Sequence, residues 1–109
     1  MTFTVGDTYL VGMHYAPSTK GEAVALLRRS EGLTQAELGK LLGVDNTRVS
    51  QWETGYRTPG DEWTRQLARV FRVRESVLTY PTELTVAWWS RRLGFDVHPR
   101  QTQHTSGAA

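Results

Sequence analysis

Apolar residues recur with helical spacing through the middle of the chain. In AVALLRR, Val24 and Leu27 fall on one helical face, and WTRQLARVF repeats the spacing through Trp63, Leu67 and Phe71. Apolar residues three and four positions apart line one side of an α-helix and form the stripe that packs on a core. The pattern therefore predicts a set of short amphipathic helices.

Capping residues mark where these helices are predicted to begin. Thr19 and Thr34 each precede a glutamate by three positions, which is the capping-box spacing. Either Asp45 or Asn46 can cap a third helix, because both side chains accept hydrogen bonds from the free amides of a first turn. In TPGD, Thr58 has the position of a cap that is followed by proline at the first helical residue. Each predicted helix thus has its own start signal.

Glycines mark where the helices are predicted to end. Gly32, Gly43 and Gly55 follow the first three helical segments, and glycine readily adopts the left-handed conformation that ends a helix. After the fourth helix, a short fifth helix is predicted from Arg74 to Leu78. These signals predict a mainly α protein with a five-helix domain.

The segment TELTVAWWSRRL, residues 82–93, fits two interpretations. As a helix it has two apolar stripes, which is wider than one core face requires, and as a strand it is rich in valine, threonine and tryptophan. Its length and the following Gly94 favour a helix. The N-terminal FTVGDTYLV has two short β-type runs around Gly-Asp, which favours a hairpin turn. The predicted parts are 1–17, an extension with a hairpin; 18–80, the helical domain; 81–98, a C-terminal helix; and 99–109, a disordered tail.

Composition excludes several function classes. The chain has 109 residues, no cysteine and a net charge of +2. No apolar run approaches the ~20 residues that span a bilayer, and no signal peptide is evident, so a cytoplasmic protein without membrane association is predicted. His14, His98 and His104 lie in separate segments, and no nucleophile–base arrangement or phosphate loop is present. The sequence predicts neither an enzyme nor a cofactor or metal site.

Two of the short helices, joined through Gly43-Val44-Asp45, have the layout of a helix-turn-helix. The helices cross closely, so the fifth position of the first must be small, and it is Gly39. The turn needs a residue that tolerates positive φ, and it is Gly43. In the second helix, Val49 and Trp52 are predicted to pack on the first helix. The other residues predicted to be buried lie in the first helix and the turn: Leu38, Leu42 and Val44.

LLRRSEGLTQAELGKLLGVDNTRVSQWETGYRTPG resembles the lambda-repressor-like helix-turn-helix domain, the XRE or Cro/C1 family of DNA-binding regulators. The resemblance covers about residues 19–78. It rests on an arginine that closes helix 1, the Leu-Thr-Gln entry to helix 2, Gly43, and Glu-x-Gly followed by proline. The chain departs from the family at Gly39, where alanine is usual, at Thr54, where asparagine is frequent, and at Arg72, where glycine often ends helix 4.

The resemblance implies a five-helix domain whose third helix lies in the major groove of double-stranded DNA. The residues implied to contact bases are Asn46, Thr47, Arg48, Ser50 and Gln51. The residues implied to contact phosphates are Gln35, Thr54, Tyr56 and Arg57. The glutamate of helix 3 pairs in this family with the arginine that closes helix 1, so Glu53 and Arg28 are expected to form an internal ion pair. The implied function is a transcriptional regulator, most simply an operator-binding repressor of phage or host origin, which acts at the nucleoid.

A protein-interaction module is the alternative, because the same scaffold can lose DNA binding and the net charge is modest. The residues of the C-terminal helix that could form a dimer or partner surface are Val86, Trp88, Trp89 and Leu93; tryptophan is enriched at interface hot spots. The other interpretation is that one tryptophan packs on the core and the other covers the N-terminal hairpin. A homodimer would also suit a palindromic operator, and an antitoxin would bind both a partner protein and DNA.

Overall fold

Six α-helices make up most of residues 14–100, which are the residues that the computed structural model describes. The helices are α1 Lys20–Ser30, α2 Gln35–Leu42, α3 Asn46–Thr54, α4 Asp61–Phe71, α5 Glu75–Thr79 and α6 Val86–Leu93, with a 3₁₀ turn at Pro81–Glu83. The mainly α fold predicted from the sequence, with five helices followed by a C-terminal one, is confirmed. The predicted hairpin and nearly all of the predicted tail lie outside the described residues.

Residues 17–85 form one compact unit built from α1 to α5. Helix α3 packs mainly on α2 and α1, while α5 packs on α4 and α1. Burying the apolar faces of these short helices against one another supplies most of their stability, because isolated helices of this length are marginal in water. The apolar core of the unit consists of Ala23, Val24, Ala25, Leu26, Leu27, Leu38, Val49, Trp52, Leu67, Ala68, Phe71, Val77 and Leu78.

The capping residues act largely as predicted. The hydroxyl of Thr34 accepts a hydrogen bond from the Glu37 amide, and the Glu37 carboxylate accepts one from the Thr34 amide, so this capping box is complete. At α1, Thr19 accepts from the Glu22 amide, but the Glu22 carboxylate bonds Ser18 instead of Thr19. The second hydrogen bond of this capping box is therefore made to Ser18, one residue before Thr19.

The start of α4 differs from the prediction. The helix begins at Asp61 with Gly60 in the capping position, and Thr58 is not its cap. Gly60 is extended, with φ −74° and ψ −176°. The carbonyl of Pro59 accepts a hydrogen bond from Lys20 Nζ at 3.0 Å, which holds this residue in the loop. Proline consequently precedes the helix here and does not form its first residue.

The second unit comprises, within the described residues, 14–16 and 86–100. Helix α6 confirms the helical interpretation of the C-terminal segment, although it begins only at Val86. After α6 the chain returns so that Tyr15 and His98 form a parallel β-bridge. The amide of Ala16 donates to the His98 carbonyl at 2.8 Å, and the amide of His98 donates to the His14 carbonyl at 2.7 Å.

Two of the four residues predicted to form a dimer or partner surface on α6 are buried. Trp89 is fully buried and Leu93 is 6% exposed, so neither side chain is available to another molecule in this structure. Val86 and Trp88 are half-buried. The rings of Trp88 and Trp89 meet edge to face with centroids 5.1 Å apart. The sequence shows two apolar stripes on this helix, and the stripe through Trp89 and Leu93 is the one that packs inward.

Candidate nucleic-acid interface

The contact between α2 and the following turn is close enough to require glycine. A Cβ atom placed on Gly39 would lie 2.5 Å from the backbone oxygen of Val44, which is too short for any real contact. Gly43 ends α2 with φ 82°, a conformation that L side chains rarely adopt. Gly39 thus allows the turn to lie close against α2, and Gly43 sets the direction in which the chain leaves α2 towards α3.

A second close contact, between α1 and α3, was not predicted from the sequence. A Cβ atom on Gly21 would overlap the backbone oxygen of Trp52, near the end of α3. In the sequence Gly21 lies between the two residues of the predicted capping box, Thr19 and Glu22. No neighbouring residue indicates that it packs against another helix. The long-range packing of α1 against α3 explains why glycine is needed at this position.

The inner face of α3 fixes the helix on the core. Val49 is fully buried and Trp52 is 2% exposed. The Trp52 ring also meets Trp63 of α4, with the centroids 5.6 Å apart and the planes inclined by 48°. Aromatic pairs at this separation favour tilted or offset arrangements. Helix α3 is thereby held through one side, which leaves the opposite side accessible.

The outer face of α3 is polar throughout. Thr47, Ser50, Gln51 and Thr54 follow the i, i+3, i+4, i+7 spacing that places side chains on one helical face. Thr47 and Thr54 are exposed, and Ser50 and Gln51 are half-buried. This face projects hydroxyl and carboxamide groups, which both donate and accept hydrogen bonds.

The two residues at the start of α3 have different tasks. Asp45 is the cap, since its carboxylate accepts a hydrogen bond from the Arg48 amide at 3.0 Å. Asn46 is therefore the first helical residue, and its exposed carboxamide is not used for capping. The Arg48 side chain is also exposed. Between the two capping residues that the sequence allowed, the structure selects Asp45.

The loop after α3 folds back towards the helix. The Arg57 amide donates to the Gln51 carbonyl at 3.1 Å, and the Thr54 hydroxyl donates to the same carbonyl at 3.3 Å. Tyr56 is 76% exposed, and the Arg57 side chain is exposed as well. The loop thus presents a phenol and a guanidinium beside the last turn of α3.

Glu53 lies at the centre of a hydrogen-bonded network joining three helices. Arg28 Nε donates to its Oε2 at 2.6 Å, and Arg28 Nη2 donates to Oε1 at 3.0 Å. Gln35 Nε2 also donates to Oε1, at 3.0 Å. The side chains of Arg28 and Glu53 are only 11% and 6% exposed. Such a bidentate arginine–carboxylate pair fixes geometry strongly, so we expect the relative placement of α1, α2 and α3 to depend on this carboxylate.

The same network reaches the loop between α1 and α2. Arg28 Nη1 donates to the backbone oxygen of Leu33 at 2.7 Å. Gln35 is half-buried, and one hydrogen of its amide nitrogen is committed to Glu53. Its second hydrogen and the free amides of the first turn of α2 are the donors that remain for an anion at this helix end.

Net charge is balanced across the helix-turn-helix itself. Residues 34–58 contain three basic residues, Lys40, Arg48 and Arg57, and three acidic ones, Glu37, Asp45 and Glu53. With Glu53 neutralised by Arg28, the face presented by α3 and its loop carries a small positive excess. The surface therefore consists mainly of uncharged hydrogen-bonding groups, and it carries few charges.

Residues 14–100 contain no cluster of three histidine, cysteine, aspartate or glutamate side chains that could hold a metal ion. None of the helices described is both long and apolar enough to cross a membrane.

Comparisons with known proteins agree with this geometry. The model of the helix-turn-helix family HTH_3 matches residues 24–78. A crystal structure of the P22 c2 repressor protein, in complex with a synthetic operator, is similar with a TM-score of 0.55 and 30% sequence identity, over 58% of this chain and 96% of that chain. No curated protein matches the sequence closely. The chain belongs to the helix-turn-helix family of the lambda-repressor-like, XRE/Cro-C1 type.

Proposed function

We propose that this protein is a sequence-specific DNA-binding transcriptional regulator that inserts α3 into the major groove of its operator. The observation that carries the proposal is the division of α3 into two faces. Val49 and Trp52 are buried, whereas a continuous row of polar side chains faces outward. A major groove admits an α-helix whose exposed side chains read the donors and acceptors of the base edges.

The outward side chains suit base recognition. Asn46 and Gln51 carry carboxamides, which bond the edge of adenine in a bidentate manner, and Thr47 offers a methyl group to thymine. Arg48 lies on the flank of the helix, where a guanidinium bonds guanine or a phosphate. Ser50 adds a short hydroxyl that accepts or donates. An exposed row of this composition is more specific than a general basic surface.

Contacts to the DNA backbone come from either side of this row. Gln35 and the free amides at the start of α2 would hold one phosphate. Tyr56 and Arg57 would hold others from the loop that follows α3, and Thr54 would contribute its hydroxyl after releasing the Gln51 carbonyl. Phosphate contacts of this kind set the position and orientation of the protein, while the base contacts select the sequence.

A single domain offers few charges to a polyanion, which favours binding as a homodimer on a palindromic operator. Two domains spaced by about one helical turn of DNA double the number of contacts, as in the repressors of this family. The likeness to a repressor bound to an operator supports repression by occupancy of the site. Regulation at the nucleoid in the cytoplasm follows from the same proposal.

The test is selection of DNA fragments from genomic DNA by the purified chain, followed by affinity measurements on the enriched site. We expect a short palindromic sequence to be enriched. Gln51→Ala should lower affinity for that site by about 1–3 kcal/mol while changing affinity for unrelated DNA little. Gln66→Ala is the matched control, because Gln66 is an exposed glutamine on α4.

Arg57→Ala should behave differently from Gln51→Ala. Loss of a phosphate contact weakens binding to all sequences alike and reduces the dependence of log affinity on log salt by about one unit. Failure to enrich any sequence, or equal effects of Gln51→Ala and Gln66→Ala, would reject DNA recognition by α3. The scaffold would then serve as a protein-interaction module.

A further inference from the structure

Arginines are concentrated where α4 ends and α5 begins. Arg65 and Arg69 lie one turn apart on α4, Arg72 follows its last residue, Arg74 precedes α5, and all four are exposed. These four residues are termed the arginine cluster. Residues 65–75 contain four arginines and one acid, Glu75, whereas the complete chain has a net charge of only +2. The rest of the chain is thus slightly acidic on balance.

Ion pairs within the protein do not explain the cluster. Arg65 Nε lies 3.6 Å from Glu75 Oε2, and both side chains are about half exposed, at 52% and 53%. An exposed pair of this kind stabilises a protein very little. Among residues 14–100, no carboxylate lies within salt-bridge distance of Arg69, Arg72 or Arg74. Most of this charge is therefore free to act on another molecule.

The backbone at Arg72 is strained for a residue with a side chain. Arg72 has φ 59° and ψ 46°, and it is the one residue other than glycine with positive φ in the described part of the chain. Glycine adopts this conformation without the steric conflict that a Cβ atom creates. An exposed arginine in this conformation lowers the stability of the fold and adds nothing to the core. Backbone strain of this kind often occurs at functional residues.

Arg74 violates a second local preference. It has the capping position of α5, yet no side-chain hydrogen bond caps the helix. Serine, threonine, aspartate or asparagine would satisfy a free amide there, and a cation is opposed by the positive end of the helix dipole. Two arginines separated by one residue are thus both poor choices for the fold. Such local conflicts are expected where a sequence serves function.

The cluster lies on other helices than the one proposed to enter the major groove. Helix α3 packs on α1 and α2, while α5 packs on α4 and α1. Helix α4 meets α3 through Trp63 in its first turn, and the cluster extends from there towards α5. The cluster is therefore on other elements than the outward row of α3, which favours a ligand other than the duplex proposed for that row.

We propose that the arginine cluster is a docking surface for an acidic segment of a partner protein. Guanidinium groups bond carboxylates in a bidentate manner, and several of them spaced along one helix and the next turn suit a run of aspartate and glutamate side chains. The surface belongs to α4 and α5, whereas the proposed DNA interface belongs to α2, α3 and the loop after α3. The proposal does not rest on the proposed function; where both hold, the cluster would link a DNA-bound regulator to a second protein.

The experiment measures binding of fluorescent poly-L-glutamate to the full chain by anisotropy at low salt. The test variant is Arg72→Gly with Arg74→Ser. Both substitutions favour the local backbone, so we expect the variant to stay folded. The matched control is Arg29→Gln with Arg91→Gln, which removes the same charge from two exposed arginines outside the cluster. Circular dichroism establishes that both variants are folded.

We expect the test variant to bind poly-L-glutamate about tenfold more weakly, which corresponds to about 1.4 kcal/mol, and the control to remain within about twofold of the original protein. Equal weakening of both variants would show attraction by general charge and would overturn the proposal. So would absence of binding by the original chain. A random-sequence DNA duplex is titrated in parallel. If the test variant loses affinity for the duplex and not for poly-L-glutamate, the cluster contacts DNA and the proposal is wrong.

Discussion

Replacing Glu53 by glutamine tests whether the buried carboxylate holds the three helices together. Three donors converge on it, two from Arg28 and one from Gln35. A carboxamide offers one acceptor oxygen, so its NH₂ group would face at least one of these donors. The charge of Arg28 would also lose its counter-ion in a site where the side chain is 11% exposed.

Breaking one partner of a buried ion pair destabilises a protein by about 3–5 kcal/mol, because the remaining charge stays desolvated. The donor that faces the NH₂ group of the glutamine loses its hydrogen bond, and a buried donor left unsatisfied costs about 1–3 kcal/mol. Since Arg28 is slightly exposed and water can reach it, we expect the lower end, about 3 kcal/mol. For a domain of this size, that loss lowers Tm by about 12–24 °C.

The measurement is urea unfolding followed by circular dichroism, supported by thermal melts. The chain supplies a control in the exposed pair of Arg65 and Glu75, at 3.6 Å. Glu75→Gln should change stability by less than about 1 kcal/mol. A double-mutant cycle with Arg28→Met should give a coupling energy of about 1–3 kcal/mol between the two residues. If Glu53→Gln destabilised the protein no more than Glu75→Gln does, or if the coupling energy were zero, the network would not fix the helices.

Four further substitutions test local features of the fold by the same urea measurement. Arg72→Gly should raise stability by about 0.5–1 kcal/mol, since relief of the left-handed strain exceeds the added entropy of glycine in the unfolded chain; a loss of stability would contradict the strain. Gly39→Ala should lower it, because overpacking against the Val44 oxygen, at about 1–3 kcal/mol, outweighs the ~1 kcal/mol gain in helix propensity. Asp45→Ala should destabilise by about 1 kcal/mol, whereas Asn46→Ala should have little effect, and the reverse order would make Asn46 the cap.

Much of the fold could be predicted because its determinants are local. The threonine–glutamate pairs and the glycines after the first three helices place the boundaries of α1, α2 and α3 within a residue or two. Gly43 and Gly55 have positive φ, as the prediction of left-handed helix ends requires. Capping and helix termination depend on neighbours in the sequence, so they are visible in it.

Features that depend on contacts between residues far apart in the sequence could not be predicted from the sequence. The close approach of Gly21 to Trp52 joins α1 to α3 and has no sequence signature. The bond from Gln35 to Glu53 was also missed, because the family pattern suggested only a phosphate contact for Gln35. The sequence does not indicate which of the two apolar stripes of α6 is buried. The burial of Trp89 depends on contacts with residues that are distant in the sequence. The base- and phosphate-contacting roles remain predictions.

The β-bridge between Tyr15 and His98 has a consequence for the order in which the chain folds. His14 and His98, which share one of its hydrogen bonds, are 84 positions apart. The contacts of α2 with α3, and of α4 with α5, join neighbouring segments and need only short loops to close. Loop-closure entropy grows with separation, so the bridge gains little until the intervening helices have formed. We therefore expect the bridge to form late in folding, so that the segment that precedes α1 meets the segment that follows α6 after most of the local helical contacts have formed.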